Sequence, residues 1–382
     1  MVNILEIVFF IIFFSIVSIR LYKRRKNVKF EKGLIFEYSQ KYVELINNYV
    51  ENHKKVFKII GLISLISTPI LLLVGPYFII TSLISLRPSV ALVLPTVSGY
   101  KYPGPIISIP FWYWIISIFL IVLPHESLHA LIARSEDIKT KRYGLLYLLL
   151  LPIGAFVDID EVKLKKSKLT SKIKIFSAGS LGNLITALFF FILLILTSQL
   201  FSFLIEPIGV KFNNTIKDSP AEKVKLEGII YAIDNQTIKD VFDLQNFLLN
   251  AKPNSTVEIK TSKGTFNLTL EEKNGKPFIG IYGVQTYFVF KWNKEEASPI
   301  VISIFSHLFS IFQWILFLSI GVAIANMLPI VPLDGGLIVR EALKEFLGNK
   351  RGEKISKIIS IVFLLLLFAS LSLSSIKPLM VS

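Results

Sequence analysis

Six apolar runs, each long enough to cross a lipid bilayer, constrain the fold of this 382-residue chain more than any other feature. A membrane-spanning helix needs about 20 predominantly apolar residues, because lipid offers no partner for unpaired backbone groups. The runs cover residues 4–21, 56–86, 106–133, 173–205, 299–327 and 355–376. With 53% hydrophobic and 18% charged residues, the chain is predicted to be a polytopic α-helical membrane protein with about six transmembrane helices.

The net charge of +15 comes largely from Lys and Arg clusters that lie beside these runs. In a soluble protein this excess would favour a nucleic-acid partner, but the positive-inside rule explains it here, so none is predicted. The basic loops 23–55, 134–174 and 340–357 are placed in the cytoplasm, which puts both termini outside the cell membrane. The segment 22–55 is predicted to form a basic amphipathic helix on the cytoplasmic surface, because apolar and charged residues alternate along it.

Two further segments do not resemble simple spans. Residues 143–160 are apolar but short and contain Pro152 and Gly154, which favours a re-entrant or interfacial hairpin. Residues 209–284 are polar and combine strand-like alternation with one helical stretch. They predict a small inserted α+β domain, which the charge pattern places outside the cell.

The strongest chemical signal is "HESLH" at the end of the third apolar run. His125 and His129 are four residues apart, so a helix places both on one face, where they can bind one metal ion. Glu126 lies beside them and can accept a proton from water activated by that metal. Because the chain has no cysteine, any further ligand must be a histidine or a carboxylate.

A catalytic zinc site needs a third protein ligand. His53 lies in a basic loop. His307 lies near the outer end of the fifth run, whereas the histidine pair lies near the inner end of the third run, so their predicted depths differ. Asp334 follows the fifth run at the same predicted depth as the pair and is the favoured ligand. The alternative is that Asp334 caps a helix terminus in a cytosolic turn.

Three motifs, taken together, resemble the site-2 protease family of intramembrane zinc metalloproteases, in its prokaryotic or archaeal form. They are "HESLH", "AGSLGN" at residues 178–183 and "NMLPIVPLDGG" at residues 326–336, in the order found in the family. Residues 218–238, "DSPAEKVKLEGIIYAIDNQTI", are similar to a stretch of the PDZ domains of membrane proteases. The resemblance covers residues 106–348 and does not include the first two apolar runs.

The resemblance implies one zinc ion bound by His125, His129 and Asp334, with Glu126 as the catalytic general base. It also implies a membrane-embedded β element near residues 149–157 that pairs with unwound substrate. The residues implied to support substrate or the transition state are Asn326, Asn183, Gly154 and Phe156.

The sequence predicts seven segments, from a transmembrane anchor at the amino terminus to a last span at the carboxy terminus. The segments are a transmembrane anchor (1–21), the basic segment (22–55), a second span (56–86), a protease core (106–206), a PDZ-like domain (209–284), a core helix with the Asn and Asp motif (298–348) and a last span (355–377).

Together with the predicted topology, the resemblance implies an intramembrane zinc endopeptidase that cleaves transmembrane helices near the cytoplasmic face, in regulated intramembrane proteolysis. Its partners would be a transmembrane protein substrate and the lipid bilayer, and the sequence does not predict an oligomeric state. One alternative is a membrane protease of the gluzincin type, with a glutamate as third ligand. The others are a PDZ-bearing membrane scaffold and a metal transporter.

Overall fold

The computed structural model describes residues 4–31, 33–87, 90–96, 102 and 106–380, so the first three residues of the predicted anchor lie outside the described residues. The chain forms two compact units. One unit combines Met1–Leu193 with Ser310–Ser382, and the other is Leu194–Phe309.

The described part of the chain is mostly helical. Its helices are α1 (Ile4–Lys23), α2 (Gln40–Asn52), α3 (Lys54–Ser85), α4 (Phe111–Ser135), α5 (Glu161–Lys166), α6 (Leu169–Leu204), α7 (Pro220–Lys223), α8 (Val241–Asn250), α9 (Pro299–Asn326), α10 (Asp334–Leu347) and α11 (Asn349–Met380). Among the described residues, α3, α4, α6, α9 and α11 are the five that are long and apolar enough to cross a membrane. The predicted helical membrane class is therefore supported, and α1 is a further apolar helix of 20 residues.

The strands of the first unit form two sheets. The strands are β1 (Val28–Glu31), β2 (Leu34–Tyr38), β3 (Leu92–Thr96), β4 (Ile106–Pro110), β5 (Thr140–Leu148) and β6 (Leu151–Ile159). Within the described residues, four strands form an antiparallel sheet in the order β1-β2-β5-β6, and β3 pairs in parallel with β4. The hairpin of β5 and β6 lies where the sequence predicts a re-entrant β element.

Two element predictions need correction. The segment 22–55 is helical only in α2 and in a short 3-10 turn at Arg25–Asn27, because residues before α2 form the β1–β2 hairpin. Alternating apolar and charged residues suit a strand as well as a helix surface, and here Gly33, at φ +83°, makes the turn. The third predicted span begins at Phe111, because its first residues, rich in isoleucine, form β4 and end at Pro110.

Helix α3 packs through one stripe of buried residues that are spaced three or four residues apart. The stripe is Phe57, Gly61, Ser64, Thr68, Leu71, Gly75, Ile79 and Ser82. Its small members allow close helix packing, as is common between membrane helices. The helix is continuous through its two prolines, Pro69 and Pro76.

Polar contacts join this stripe to other helices of the first unit. The hydroxyl of Ser64 lies 2.5 Å from that of Ser177 on α6 and donates to the carbonyl of Lys174 at 2.9 Å. Farther along, the hydroxyls of Ser82 and Ser370 on α11 are 2.9 Å apart. Each hydroxyl therefore has a partner inside an otherwise apolar interface.

The second unit contains the remaining strands. They are β7 (Ile205–Lys211), β8 (Asn214–Thr215), β9 (Ile230–Ile233), β10 (Gln236–Thr237), β11 (Thr256–Thr261), β12 (Gly264–Thr269), β13 (Glu271–Lys273), β14 (Lys276–Phe278), β15 (Ile281–Tyr282) and β16 (Gln285–Phe290). The main sheet has the order β12-β11-β9-β7-β16, with β10 paired to β9. Buried Val, Ile and Leu side chains of these strands pack with Leu244 of α8 in one core. The elements are the mixture of helix and strand expected for the insert, and its likeness to a PDZ domain stays a prediction.

Candidate metal centre

The two histidines of "HESLH" lie on one face of α4. His125 and His129 are both buried, and their Nε2 atoms are 3.2 Å apart. Helix α4 continues through Pro124, just before the first histidine, so the expected spacing of one helical turn is retained. Both rings therefore present Nε2 to the same point.

Asp334 joins the histidines from the start of α10. Its Oδ2 lies 3.4 Å from Nε2 of His125 and 3.4 Å from Nε2 of His129. Two glycines follow it in the first turn of the helix and are buried. A side chain on Gly335 would overlap the backbone of Met327, so this glycine allows the two chain segments to lie in contact.

The three atoms form a nearly equilateral triangle that suits a tetrahedral zinc ion. Zinc binds nitrogen and carboxylate oxygen at about 2.0–2.2 Å, which separates neighbouring tetrahedral ligands by about 3.3–3.6 Å. Oδ2 of Asp334 is buried and accepts no hydrogen bond from the described residues. An unsatisfied buried carboxylate oxygen beside two imidazole nitrogens is the donor set expected for a metal cation.

Gly179 of α6 leaves the space that such an ion needs. A Cβ atom at this position would overlap Nε2 of His129 and lie 2.6 Å from Nε2 of His125. The helix backbone therefore faces the ligand atoms directly, and any larger residue would fill the centre of the site.

The far side of each imidazole is held by α6. Nδ1 of His129 donates to the carbonyl of Ile175 at 2.6 Å, which leaves Nε2 free to bind a metal. Nδ1 of His125 lies 3.0 Å from the side-chain amide of Asn183, which is fully buried. A ring that binds metal through Nε2 carries its proton on Nδ1, so metal binding favours the amide orientation that turns Oδ1 towards His125.

The other predicted site residues occupy different positions around this group. The carboxylate of Glu126 faces the backbone of Val157 on β6. The amide nitrogen of Asn326 lies 3.4 Å from Nε2 of His125. Gly154 faces Val122 on α4, one turn before the first histidine, and the ring of Phe156 packs against aromatic rings of β2.

In the described part of the chain, the group of three or more potential metal ligands is His125, His129 and Asp334. It does not include the two other histidines that the sequence offers. Nδ1 of His53 lies 3.0 Å from the carbonyl of Tyr49, and Nδ1 of His307 lies 2.8 Å from the carbonyl of Ser303. Each of these two histidines thus contacts a backbone carbonyl four residues earlier in the chain.

A sequence model of peptidase family M50 matches residues 113–370, which is more than half of the chain. The chain belongs to peptidase family M50. Its resemblance to the site-2 protease family is thereby confirmed. An uncharacterized protein of Methanocaldococcus jannaschii is 29% identical over 311 residues, which cover 79% of this chain and 76% of that protein.

Membership of family M50 identifies the chain as a membrane metallopeptidase, and peptidases of this family are zinc enzymes. All three candidate ligands and Glu126 fall inside the matched region. The match begins after α1, α2 and α3, so these elements lie outside the region that the family model covers.

A polar cavity of about 860 Å³ adjoins the candidate metal centre of this M50 peptidase. His129 and Asp334 line it together with the end of β6 and parts of α5, α6, α10 and α11. Its charged lining residues are Asp158, Glu161, Lys165, Lys172, Arg340, Glu341, Lys344 and Glu353. The ligands therefore border a charged space as well as apolar helices.

One ion pair in this lining ties α6 to α10. Nζ of Lys172 lies 2.9 Å from the carboxylate of Glu341. Burial by itself would raise the pKa of Glu341, but the hydrogen bond and charge of Lys172 outweigh it and hold the pKa below its usual value. Glu341 is thus an anion at neutral pH.

Sequence reasoning missed Gly179 and the β1–β2 hairpin. Gly179 lies within the "AGSLGN" motif, but its role depends on which helix face meets the histidines. The hairpin has a local signal in "KFEKGLIFEY", in which apolar and charged residues alternate around a glycine, but the same alternation also suits the surface of a helix.

Proposed function

We propose that this M50 peptidase is an intramembrane zinc endopeptidase that cleaves transmembrane helices of membrane-protein substrates. The observation that carries the proposal is the triangle of His125, His129 and Asp334 on helices packed among others long enough to cross a membrane. A peptidase that cleaves soluble proteins does not need metal ligands that are buried among such helices.

The candidate site would hold one zinc ion through His125, His129 and Asp334. When bound, zinc would supply Lewis-acid chemistry, since it polarises the scissile carbonyl and makes water more acidic. Glu126, adjacent to the ligands, would accept a proton from the attacking water and deliver it to the leaving amine nitrogen. Asn326 and Asn183 would support the site, Asn183 by orienting the ring of His125.

A substrate helix shields its own peptide bonds by hydrogen bonding, so it must unwind before cleavage. Strand β6 is an edge strand of the four-stranded sheet within the described residues, and an edge strand can pair with an extended peptide. Gly154 and Phe156 lie on this strand. The polar cavity beside His129 and Asp334 offers a route for the water that hydrolysis consumes.

The proposal keeps the orientation derived from charge. The site would lie near the cytoplasmic face of a cell membrane, with a PDZ-like domain and both termini outside. Regulated intramembrane proteolysis is the proposed role, with a transmembrane protein as substrate. The distribution of basic loops supports this orientation.

The test is Glu126→Gln in purified protein reconstituted with a single-span model substrate. We expect cleavage to fall by about 100-fold or more, because the general base is lost, while the zinc content stays at one ion per chain. The matched control is Glu345→Gln at an exposed position of α10, which should cleave at the wild-type rate. Undiminished cleavage by Glu126→Gln would contradict the proposal.

A further inference from the structure

We infer that the amino-terminal arm, defined as α1, β1 and β2, is a brace that positions strand β6 for substrate, with Glu37 as its central positioning residue. The inference rests on the proposed function, because it concerns how substrate meets the site. The arm precedes residue 113, where the family match begins. The family model therefore does not cover the contacts of the arm.

Glu37 connects the helix of the arm to the sheet. Both carboxylate oxygens lie within 3.1 Å of Nε of Arg20 on α1, and Oε1 also lies 3.0 Å from Nη1 of Arg24. The hydroxyl of Tyr147 on β5 donates to Oε2 at 2.7 Å. One carboxylate thus receives hydrogen bonds from a helix and from the strand beside its own.

This carboxylate is almost completely buried, with 2% of Glu37 exposed. Burial by itself would raise the pKa of Glu37, but hydrogen bonds from Arg20 and Tyr147 and the charges of Arg20 and Arg24 hold it below its usual value. Glu37 is therefore an anion at neutral pH, and its partners are fixed by charge as well as by direction. In some proteins, buried polar or ionic groups of this kind specify the register of packed elements.

Apolar contacts reinforce the same connection. Val17 and Leu21 of α1 pack with the ring of Tyr147 in a small buried cluster. At its other end, α1 places the ring of Phe10 4.5 Å from the ring of Phe111, the first residue of α4. The arm therefore contacts both the sheet and the helix that carries the histidines.

The opposite face of the sheet holds Phe156 of β6. Its ring lies 5.3 Å from the ring of Phe36 and 5.4 Å from that of Tyr38, in edge-to-face contacts with both. These two residues flank Glu37 on β2, so alternation places their side chains on the face opposite the carboxylate. Side chains of the arm thus contact the side chain of Phe156 directly, although β5 lies between β2 and β6 in the sheet.

Gly144 makes this contact across β5 possible. It pairs with Tyr38 on one side and with Phe156 on the other. A Cβ atom at Gly144 would lie 2.8 Å from the ring of Phe156 and overlap the carbonyl oxygen of Glu37. A side chain at this position would lift Phe156 away from β2.

The next residue of β6 faces the catalytic centre. The backbone of Val157 faces the carboxylate of Glu126, and Val157 lines the cavity together with His129 and Asp334. Fixing Phe156 therefore fixes the part of β6 that adjoins the site. The described contacts that orient the metal ligands come from α6, α9 and α10, so weakening the arm should leave the ligands in place.

The experiment compares Glu37→Gln with wild type as full-length protein in phospholipid vesicles. We expect the KM for a single-span substrate to rise by about tenfold, because β6 no longer holds one position, while kcat changes by less than about twofold. Zinc content should stay at one ion per chain. Glu31→Gln, an exposed glutamate on β1, is the matched control and should behave as wild type.

A second readout does not depend on catalysis. The chain has no cysteine, so Ala155→Cys provides a unique probe on β6. Maleimide labelling of this cysteine should be faster when Glu37→Gln is also present. Tyr147→Phe removes one hydrogen bond, and Gly144→Ala perturbs Phe156 from the opposite face; both should raise KM even where Glu37→Gln does not fold.

The outcomes separate the brace from the proposed function. A cleaving wild type whose KM is unchanged in Glu37→Gln overturns the brace alone. A parallel fall of kcat and zinc content would also overturn it, because that result shows a general role in folding. A wild type that cleaves no transmembrane substrate overturns the proposed function, while the labelling rates still show whether Glu37 holds β6.

Discussion

His125, His129 and Asp334 bring three ligand atoms to within 3.2 to 3.4 Å of one another, and Gly179 on a third chain segment, α6, leaves room for the ion between them. The histidine pair is predictable from spacing alone, because a helix repeats every 3.6 residues. The glycine is different, since its importance comes from the helix it faces. The lack of a side chain at Gly179 is therefore as important for this site as the identity of its ligands.

Gly179→Ala should abolish zinc binding without unfolding the protein. Alanine favours a helix over glycine by about 0.5–1 kcal/mol, so the backbone of α6 should not be destabilised. The new methyl group, however, would occupy the space between the two imidazoles. Zinc content measured on purified protein should fall far below one ion per chain.

Gly321→Ala is the matched control for this change. Gly321 is also a glycine within an apolar helix, and a Cβ atom there would have no heavy atom within 4 Å. It should retain zinc and activity. Full zinc occupancy in Gly179→Ala would show that the ion does not bind between these rings.

Helix α3 illustrates what an element contributes outside the region that defines the family. Small residues of its buried stripe contact α6 near the site and α11, although its sequence predicts only an apolar span. The sequence predicts that α3 is a helix in the membrane, since apolarity is local. Which neighbours it contacts is set by the complementary small residues of other helices, such as Ser177.

Ser64→Leu should weaken the packing of α3 against α6. The larger side chain replaces a hydroxyl that touches Ser177, and overpacking of this kind costs about 1–3 kcal/mol. Since Ser177 lies two residues before Gly179, zinc affinity should also fall. Thermal unfolding in detergent and zinc titration measure the two effects.

Ser85→Leu gives the comparison, because Ser85 is exposed near the end of the same helix. It should leave both the melting temperature and zinc affinity close to wild type. Equal stability of the two variants would mean that the buried serine contact is not important for assembly.

At the scale of the whole molecule, the metal ligands join parts of the chain that are far apart in sequence. Two ligands lie on α4 and the third begins α10, with the entire second unit in the intervening chain. An ion that binds all three stabilises only the folded arrangement, because the unfolded chain does not hold them together. Metal binding should therefore be linked to the stability of the first unit.

Removing zinc with a chelator should lower the melting temperature, and adding one equivalent should restore it. A ligand at 100 to 1,000 times its Kd stabilises the folded state by about 2.7–4.1 kcal/mol, which corresponds to several degrees. Asp334→Ala should show a smaller response to the chelator. If the wild-type melting temperature does not respond, the ligands do not hold a metal that contributes to stability.

The sequence by itself determined the apolar helices and the histidine pair, and it favoured Asp334 from its predicted depth. These depend on local properties, because lipid requires each span to satisfy its own backbone hydrogen bonds and a helix fixes which residues share a face. Prediction failed between α1 and α2, where one alternating pattern suits both a strand and a helix surface. Pairing with β5 decides that residues 34–38 form a strand, and β5 lies about a hundred residues later in the chain.

Only the tertiary structure decided that β1 and β2 join the sheet that lines the site, that Glu37 links α1 to Tyr147, and that Gly179 faces the two imidazoles. Each of these contacts depends on a residue whose partner is distant in sequence. A single chain carries no local signal for such a pairing, because its energy exists only when the two segments meet.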